Sequence, residues 1–123
     1  MRDILFDTNF LVAPFQLNVS IFEEIDEMYP GNRTFTVDLV VDEAKSIEGG
    51  KYGGLIQKLI ESEEIEVLET KGNGFVDDLL VDLSDEFLIA TNDKELKNRI
   101  VDEGRPVMYI RSSSHVRVEN EQM

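Results

Sequence analysis

The chain has 123 residues, enough for one compact domain with a single core. It carries 26 Asp and Glu against 12 Lys and Arg, and its net charge of -14 argues against bulk attraction to DNA or to an anionic membrane surface. Cysteine is absent and histidine occurs once, which excludes disulfide scaffolds, thiolate nucleophiles and zinc sites that need cysteine or several histidines. Carboxylates are therefore the abundant candidates for catalysis or metal binding.

The location of the protein can be predicted from its apolar stretches. No stretch reaches the roughly 18 consecutive apolar residues of a membrane span. Acidic residues interrupt the first seven positions, unlike the start of a signal peptide. We therefore expect a cytoplasmic protein with no membrane partner.

Short apolar runs alternate with amphipathic segments along the chain. Continuous apolar runs predict strands, and apolar residues spaced by three or four predict helices. In chain order the predicted elements are a strand at 3–6, a helix at 20–28, a strand at 33–37, helices at 38–47 and 55–60, a strand at 65–68, a turn at 72–74, a helix at 75–84, a strand at 87–90, a helix through 96–100 and a strand at 107–110. The segment 112–123 is predicted as a polar tail, which leaves 1–111 as the domain.

This alternation predicts the class of fold. Short strands that are apolar throughout are typical of a parallel sheet with helices on both faces. Right-handed crossovers place the C-terminal ends of such strands at one edge, and ligands bind along that edge. We predict a single α/β domain with a central, mostly parallel sheet and a functional site at this edge.

Acidic and small polar residues lie where the predicted strands end. Two strands end in nearly the same way, with a carboxylate, a threonine and an asparagine: Asp7, Thr8 and Asn9 after the first, and Thr91, Asn92 and Asp93 after the strand at 87–90. Glu43 lies in the helix after the second strand, and Asp77 and Asp78 open the helix at 75–84. The predicted topology allows these four places to converge.

Converging carboxylates indicate a metal site. Like charges close together raise one another's pKa, and a hard divalent cation removes this cost. Ligand sets made only of oxygen favour Mg²⁺ or Mn²⁺, which can activate water and bind a phosphate oxygen. The pattern therefore points to metal-assisted hydrolysis of phosphodiesters. The alternative for each acid is a structural role, because Asp also caps helices and ends strands.

Four short motifs occur in the order found in PIN-domain ribonucleases: Phe-Asp-Thr-Asn at 6–9, Val-Asp-Glu at 41–43, Asp-Asp-Leu-Leu-Val at 77–81 and Ile-Ala-Thr-Asn-Asp at 89–93. The chain resembles this family from residue 3 to about residue 110. Its segment 88–110 resembles the archaeal branch related to ribosomal-RNA-processing PIN proteins. The resemblance implies an endoribonuclease that cuts single-stranded RNA with Mg²⁺ or Mn²⁺, and it implies a homodimer.

The resemblance also implies roles for particular residues. Four acids would hold the metal and carry catalysis: Asp7, Glu43, Asp77 and Asp93. Asp77 is preferred to its neighbour Asp78 as the third acid, because an acid, two residues and an aliphatic pair match the family's helix. Thr8, Asn9 and Thr91 would orient the acids or a metal-bound water, and Asp78 would support the site as the neighbour of the third acid. RNA contacts are expected at Lys94, Lys97 and Arg99, with ordinary helix-surface charge as the alternative.

Two other functions remain open from the sequence. The toxin ribonucleases of toxin–antitoxin pairs resemble the same family, so an antitoxin is a possible partner. A non-catalytic PIN domain that serves as a scaffold in a ribosome-assembly complex is the second alternative. A scaffold has no need for a complete set of mutually repelling acids, and this favours the enzyme.

Overall fold

The structure is a computed structural model that describes residues 2–17, 20–70, 74–112 and 115–120. Of the predicted turn at 72–74, only Gly74 lies within these ranges. The strands are β1 (Asp3–Phe6), β2 (Arg33–Val37), β3 (Glu66–Leu68), β4 (Leu88–Ala90), β5 (Val107–Arg111) and β6 (His115–Glu119). The helices are α1 (Thr8–Gln16), α2 (Ile21–Met28), α3 (Asp38–Ser46), α4 (Gly53–Ser62), α5 (Val76–Leu83) and α6 (Lys94–Asp102), with a 3₁₀ segment at Ile47–Gly50. Within the described ranges, no helix has the length and apolar character needed to cross a bilayer.

The six strands form one sheet in the order β3-β2-β1-β4-β5-β6. All neighbours from β3 to β5 are parallel, and β6 alone pairs antiparallel, with β5. From β1 the strands are added toward one edge of the sheet, through β2 to β3. The chain then crosses back to β4 on the other side of β1, so the order in which strands are added changes direction between β1 and β4. In open parallel sheets, ligands bind beyond the C-terminal ends of the strands at such a switch point.

The core explains why the strands read as continuous apolar runs. In β1 and β4, every residue from Ile4 to Phe6 and from Leu88 to Ala90 is at most 1% exposed. Phe6 stacks on Phe10 of α1 and meets Phe22 of α2 edge to face, with ring centroids 5.6 and 5.5 Å apart. Each such side chain contributes about 2 kcal/mol through burial. The predicted single α/β domain with a mostly parallel sheet is confirmed.

Helix α1 is present although the sequence pattern does not predict it. Five of its nine residues are buried: Thr8, Phe10, Leu11, Val12 and Ala13. The helix therefore lacks the wide polar face by which most surface helices are recognised in a sequence. Pro14 lies inside the helix, where a proline removes one backbone donor and usually signals a break. The Asp7 side chain caps the helix by accepting a hydrogen bond from the Thr8 amide. Asp7 therefore ends a strand and begins a helix at once.

The C-terminal segment predicted as a polar tail contains a strand. Residues His115–Glu119 form β6, an edge strand that pairs with all of β5. Only Val116 and Val118 alternate toward the protein, and this signal is too short to stand out in a polar segment. The Glu24 carboxylate of α2 accepts a hydrogen bond from the Val116 amide at 3.1 Å. Residues 113–114 and 121–123 of the predicted tail lie outside the described ranges.

Candidate active site

The ends of β1 and β4 bring two of the predicted acids to the switch point. Asp7 directly follows β1, and its amide donates to the carbonyl of Ala90 at the end of β4, at 2.9 Å. Thr91 directly follows β4, and its amide donates to the carbonyl of Met108 in β5, also at 2.9 Å. The two polar segments therefore leave the sheet side by side. Asp93 lies two residues beyond Thr91 and caps α6.

Asp7 is a buried carboxylate in a fixed orientation. Its side chain accepts from the Thr8 amide through Oδ1, at 2.8 Å, and from the Thr91 hydroxyl through Oδ2, at 2.6 Å. Burial raises the pKa of Asp7 above its usual 3.8, and the charges of Asp77 and Glu43 add to this rise. The hydrogen bonds from Thr91 and Thr8 oppose it, because they favour the ionised form. Asp7 is only 5% exposed, so ionisation of its carboxyl group is costly, and the two hydrogen bonds reduce this cost.

Thr91 links the two acids at the switch point. While its hydroxyl donates to Asp7, the same oxygen accepts from the Asp93 amide at 3.1 Å and weakly from Asn9 Nδ2 at 3.5 Å. Asp93 Oδ1 in turn accepts from the Leu96 amide at 3.1 Å, which fixes this carboxylate at the start of α6. Three predicted supporting residues, Thr8, Asn9 and Thr91, are therefore placed against the acids.

Asn92 is a positioning residue to which the sequence analysis assigned no role. Its side-chain amide accepts from the Ile110 amide at 2.8 Å and donates to the Ile110 carbonyl at 3.2 Å, as a neighbouring strand would. Its own backbone amide donates to Asn9 Oδ1 at 2.9 Å. Asn92 thereby ties the polar segment after β4 to β5 and to α1. An asparagine between two polar residues at a strand end was the only available signal.

A cleft of about 210 Å³ is bordered by all four predicted acids. Glu43 reaches it from α3 and Asp77 from the first turn of α5, so the acids come from four separate parts of the chain. Burial raises the pKa of Asp77, the Asp93 and Glu43 charges add to the rise, and the Arg99 guanidinium opposes it. The four acids are therefore close enough to influence one another. Three further residues line the cleft and were not predicted: Val12, Gln16 and Ile47.

The adjacent residues Asp77 and Asp78 have different surroundings in the structure. Asp77 is half-buried and lines the acidic cleft, whereas Asp78 is exposed and does not line it. The Asp78 carboxylate instead accepts from Arg99 Nη2 at 2.8 Å in a solvent-exposed ion pair. Consecutive residues in a helix point about 100° apart, so only one of the pair can face the cleft. Asp77, the preferred third acid, therefore lies at the acidic cleft, whereas Asp78, predicted as a supporting residue, does not.

The three predicted RNA-binding cations have different surroundings. The Lys97 ammonium lies over the Tyr109 ring at 4.2 Å from its centroid, and it pairs with Glu119 at 3.4 Å. Lys97 therefore helps to hold β5 and β6 against α6. Lys94 is exposed in the first turn of α6. Arg99 lies in a second cleft next to Glu43 and Asp77.

The donor set of the acidic cleft fits a hard divalent cation. Its carboxylate and hydroxyl oxygens are the ligand types that Mg²⁺ and Mn²⁺ prefer. The Thr8 hydroxyl, buried beside Asp7, has no hydrogen-bond partner among the described residues, and Thr8 lines the cleft. As placed, no three acidic or imidazole side chains in the described ranges converge tightly enough to hold an ion. Holding an ion with three or more of the acids therefore requires side-chain rotation, which is open to Glu43 because it is exposed.

The fold and the site together define an α/β domain with an acidic, oxygen-rich cleft at the switch point of its sheet. A family model described as PIN like domain matches residues 4–113, so the chain belongs to the PIN-like domain family. Among solved structures, it is similar to the PIN domain endonuclease Utp24, with a TM-score of 0.80 and 26% identity over 97% of this chain and 92% of that chain. A comparison with curated proteins gives no match. The resemblance drawn from the four motifs is thereby confirmed at the level of the family.

Proposed function

We propose that this protein is a metal-dependent endoribonuclease that hydrolyses phosphodiester bonds of single-stranded RNA. The observation that carries the proposal is the single cleft bordered by Asp7, Glu43, Asp77 and Asp93 at the switch point. Membership of the PIN-like domain family and the similarity to a PIN domain endonuclease support it. A purely structural account of the acids does not explain why four of them border one cleft and repel one another.

The four acids would hold Mg²⁺ or Mn²⁺, and the rest of the site would keep them in place. A cation bound there supplies Lewis-acid stabilisation of the phosphate charge and lowers the pKa of a water molecule. Asp7 keeps both oxygens fixed through Thr8 and Thr91, while its remaining lone pairs can face the cleft. Asp93 is held by the first turn of α6. Because both acids are held by backbone amides or buried side chains, they need little reorganisation during the reaction.

The strong negative charge of the protein is compatible with an RNA substrate. Phosphate contacts normally supply much of nucleic-acid affinity, and a net charge of -14 opposes them. Half of the 12 basic residues lie in the last third of the chain: Lys94, Lys97, Arg99, Arg105, Arg111 and Arg117. Arg99 borders the second cleft next to Glu43 and Asp77, and bound cations would neutralise part of the charge of the acids. We propose that affinity depends on the metal and on contacts to the bases more than on a basic surface.

The proposed setting is RNA processing in the cytoplasm. The resemblance of segment 88–110 to the ribosomal-RNA-processing branch favours this role over that of a toxin ribonuclease. The proposed partners are the RNA substrate and a ribosome-assembly complex. A homodimer, also implied by the family resemblance, can be tested by light scattering of the purified protein.

The proposed activity can be tested with a labelled oligonucleotide. We expect purified protein to cut single-stranded RNA in Mn²⁺ or Mg²⁺, to stop in excess EDTA, and to leave the same sequence largely uncut as a duplex. Attack by water on the phosphorus, with breakage of the bond to the 3′ oxygen, leaves a 5′-phosphate and a 3′-hydroxyl, whereas contaminating metal-independent ribonucleases leave 2′,3′-cyclic phosphates. Absence of cleavage in both metals, or cyclic phosphate ends that persist in EDTA, would count against the proposed activity and favour a scaffold.

A further inference from the structure

Phe75 is the most exposed large apolar side chain in the described residues. It is 79% exposed, against 38–45% for the other exposed large apolar side chains: Leu17, Met28, Leu55 and Val67. Keeping a phenylalanine ring in water forgoes about 2 kcal/mol of burial free energy. A single exposed apolar residue is common on protein surfaces, so the position of Phe75 decides its meaning.

Phe75 lies directly beside the acidic cleft. It is the N-cap residue of α5, two positions before Asp77, so the two Cα atoms are within about 7 Å of each other. Phe75 borders a second, more open cleft of about 540 Å³, together with Glu43, Asp77 and Arg99. Glu43 and Asp77 also border the acidic cleft, so the two clefts are adjacent.

The chemistry of the second cleft suits a nucleobase. A phosphate would be repelled there by the charges of Glu43, Asp77 and Asp78. The face of a base is neutral and can stack on an exposed aromatic ring. The Arg99 guanidinium is held at this cleft by a solvent-exposed ion pair with Asp78. Such exposed pairs are weak, so the guanidinium can exchange this partner for a ligand at little cost. Planar guanidinium groups also stack on bases and bind phosphate oxygens.

We propose that Phe75 and Arg99 form a nucleobase subsite, in which the Phe75 ring stacks on the base adjoining the phosphate that is cut. This proposal rests on the proposed ribonuclease function. It assigns the phosphate to the acidic cleft and the neighbouring base to the second cleft. The preference for single-stranded RNA follows, because a base in a duplex is already stacked and cannot rotate onto a protein ring.

The first test is the kinetics of three variants of Phe75 on single-stranded RNA. Loss of stacking on one base typically weakens binding by about 5- to 100-fold. We expect Phe75→Ala and Phe75→Leu to raise KM about 10-fold with kcat within about threefold, and Phe75→Tyr to behave as wild type. Leucine keeps the apolar area without an aromatic face, so a Phe75→Leu variant with wild-type KM would overturn the proposal. All three should unfold at the wild-type temperature, because the ring is exposed.

Met28→Ala is the matched control. Met28 is 39% exposed and ends α2 ahead of β2, at the opposite edge of the sheet from the acids. Its removal should leave KM unchanged. A similar rise in KM for Met28→Ala and Phe75→Ala would mean that general surface hydrophobicity is responsible, which overturns the subsite.

The second test removes the base instead of the ring. An RNA with an abasic nucleotide next to the cut should raise the wild-type KM about 10-fold, and should add little in Phe75→Ala, because both changes delete the same contact. Effects that multiply would show that the ring and that base do not interact.

If the wild type fails to cleave, the proposed activity fails, and the same variants and RNAs are compared by fluorescence anisotropy in Mn²⁺. The subsite then survives only if Phe75→Ala and the abasic RNA lower affinity by the same factor. A wild-type dimer that Phe75→Ala dissociates, with no response to the abasic RNA, would assign the ring to an interface between two copies.

Discussion

Replacing Asp7 with asparagine is expected to lower the rate of RNA cleavage by about 10³-fold. The change removes one charged ligand from the cation that would stabilise the transition state, an interaction worth roughly 4 kcal/mol. The measurement is kcat on a labelled single-stranded RNA in saturating Mn²⁺. Asp85→Asn is the matched control, because Asp85 is an exposed acid between α5 and the start of β4, away from the acidic cleft, and it should cleave as wild type. Equal activity of the two variants would remove Asp7 from the active site.

The same Asp7→Asn variant is expected to be more stable than wild type at neutral pH when no metal is present. Burial raises the pKa of Asp7 above 3.8, so the folded state binds this proton more tightly than the unfolded state does. The contribution of Asp7 to stability is therefore fully present below pH 3.8 and is lost as the pH rises through the raised pKa. Asparagine stays neutral and escapes this loss. Urea unfolding at pH 7 should show a higher midpoint for Asp7→Asn, and the difference should shrink toward pH 3.

Asp77→Asn and Asp78→Asn are expected to differ sharply although the two residues are adjacent. Asp77 borders the acidic cleft, and the charge of Asp93 helps to raise its pKa. Removing the Asp77 carboxylate should therefore lower kcat by about 10²- to 10³-fold. Asp78 is exposed and bonds Arg99, so its loss should leave kcat within about threefold and act on KM through the released guanidinium. Steady-state kinetics in Mn²⁺ separates the two effects. A larger fall in kcat for Asp78→Asn would assign the third acid to the other residue.

The fold was predictable because the central strands are short, apolar and buried on both faces. Ile4 to Phe6 and Leu88 to Ala90 cannot alternate in polarity, since helices cover both sides of the sheet. Helix α1 escaped prediction because it is buried on most of its surface and contains Pro14. Strand β6 was not predicted because an edge strand buries only one face, and two valines in five residues give little signal of a strand.

The candidate site was predictable where topology alone determines the position of a residue. Asp7 and Asp93 follow parallel strands, whose C-terminal ends share one side of the sheet, and the observed order of strands then makes β1 and β4 neighbours. The orientation of a single side chain within a helix turn needs coordinates, and this is why the structure separates Asp77 from Asp78 more clearly than spacing does. The ion pair of Lys97 could not be predicted without β6, because its partner Glu119 lies on that strand.

The exposure of Phe75 could not be predicted from the sequence for a different reason. An apolar residue just before an amphipathic helix is usually part of the core, and the sequence carries no sign of its exposure. Only the second cleft, with its neighbours Glu43, Asp77 and Arg99, gives the ring a functional meaning. Binding residues at a loop end are therefore the part of this site that sequence patterns describe least well.

Thermal unfolding in increasing Mn²⁺ tests most directly whether side-chain oxygens from four distant stretches share one ion. A ligand that binds only the folded state stabilises it by roughly 2.7 kcal/mol at 100 times its Kd, so the wild-type melting temperature should climb by several degrees. Asp7→Asn, Glu43→Gln, Asp77→Asn and Asp93→Asn should each lose most of this rise, while Asp85→Asn keeps it. A wild type that does not respond to Mn²⁺, or four variants that respond as fully as Asp85→Asn does, would contradict a shared cation site.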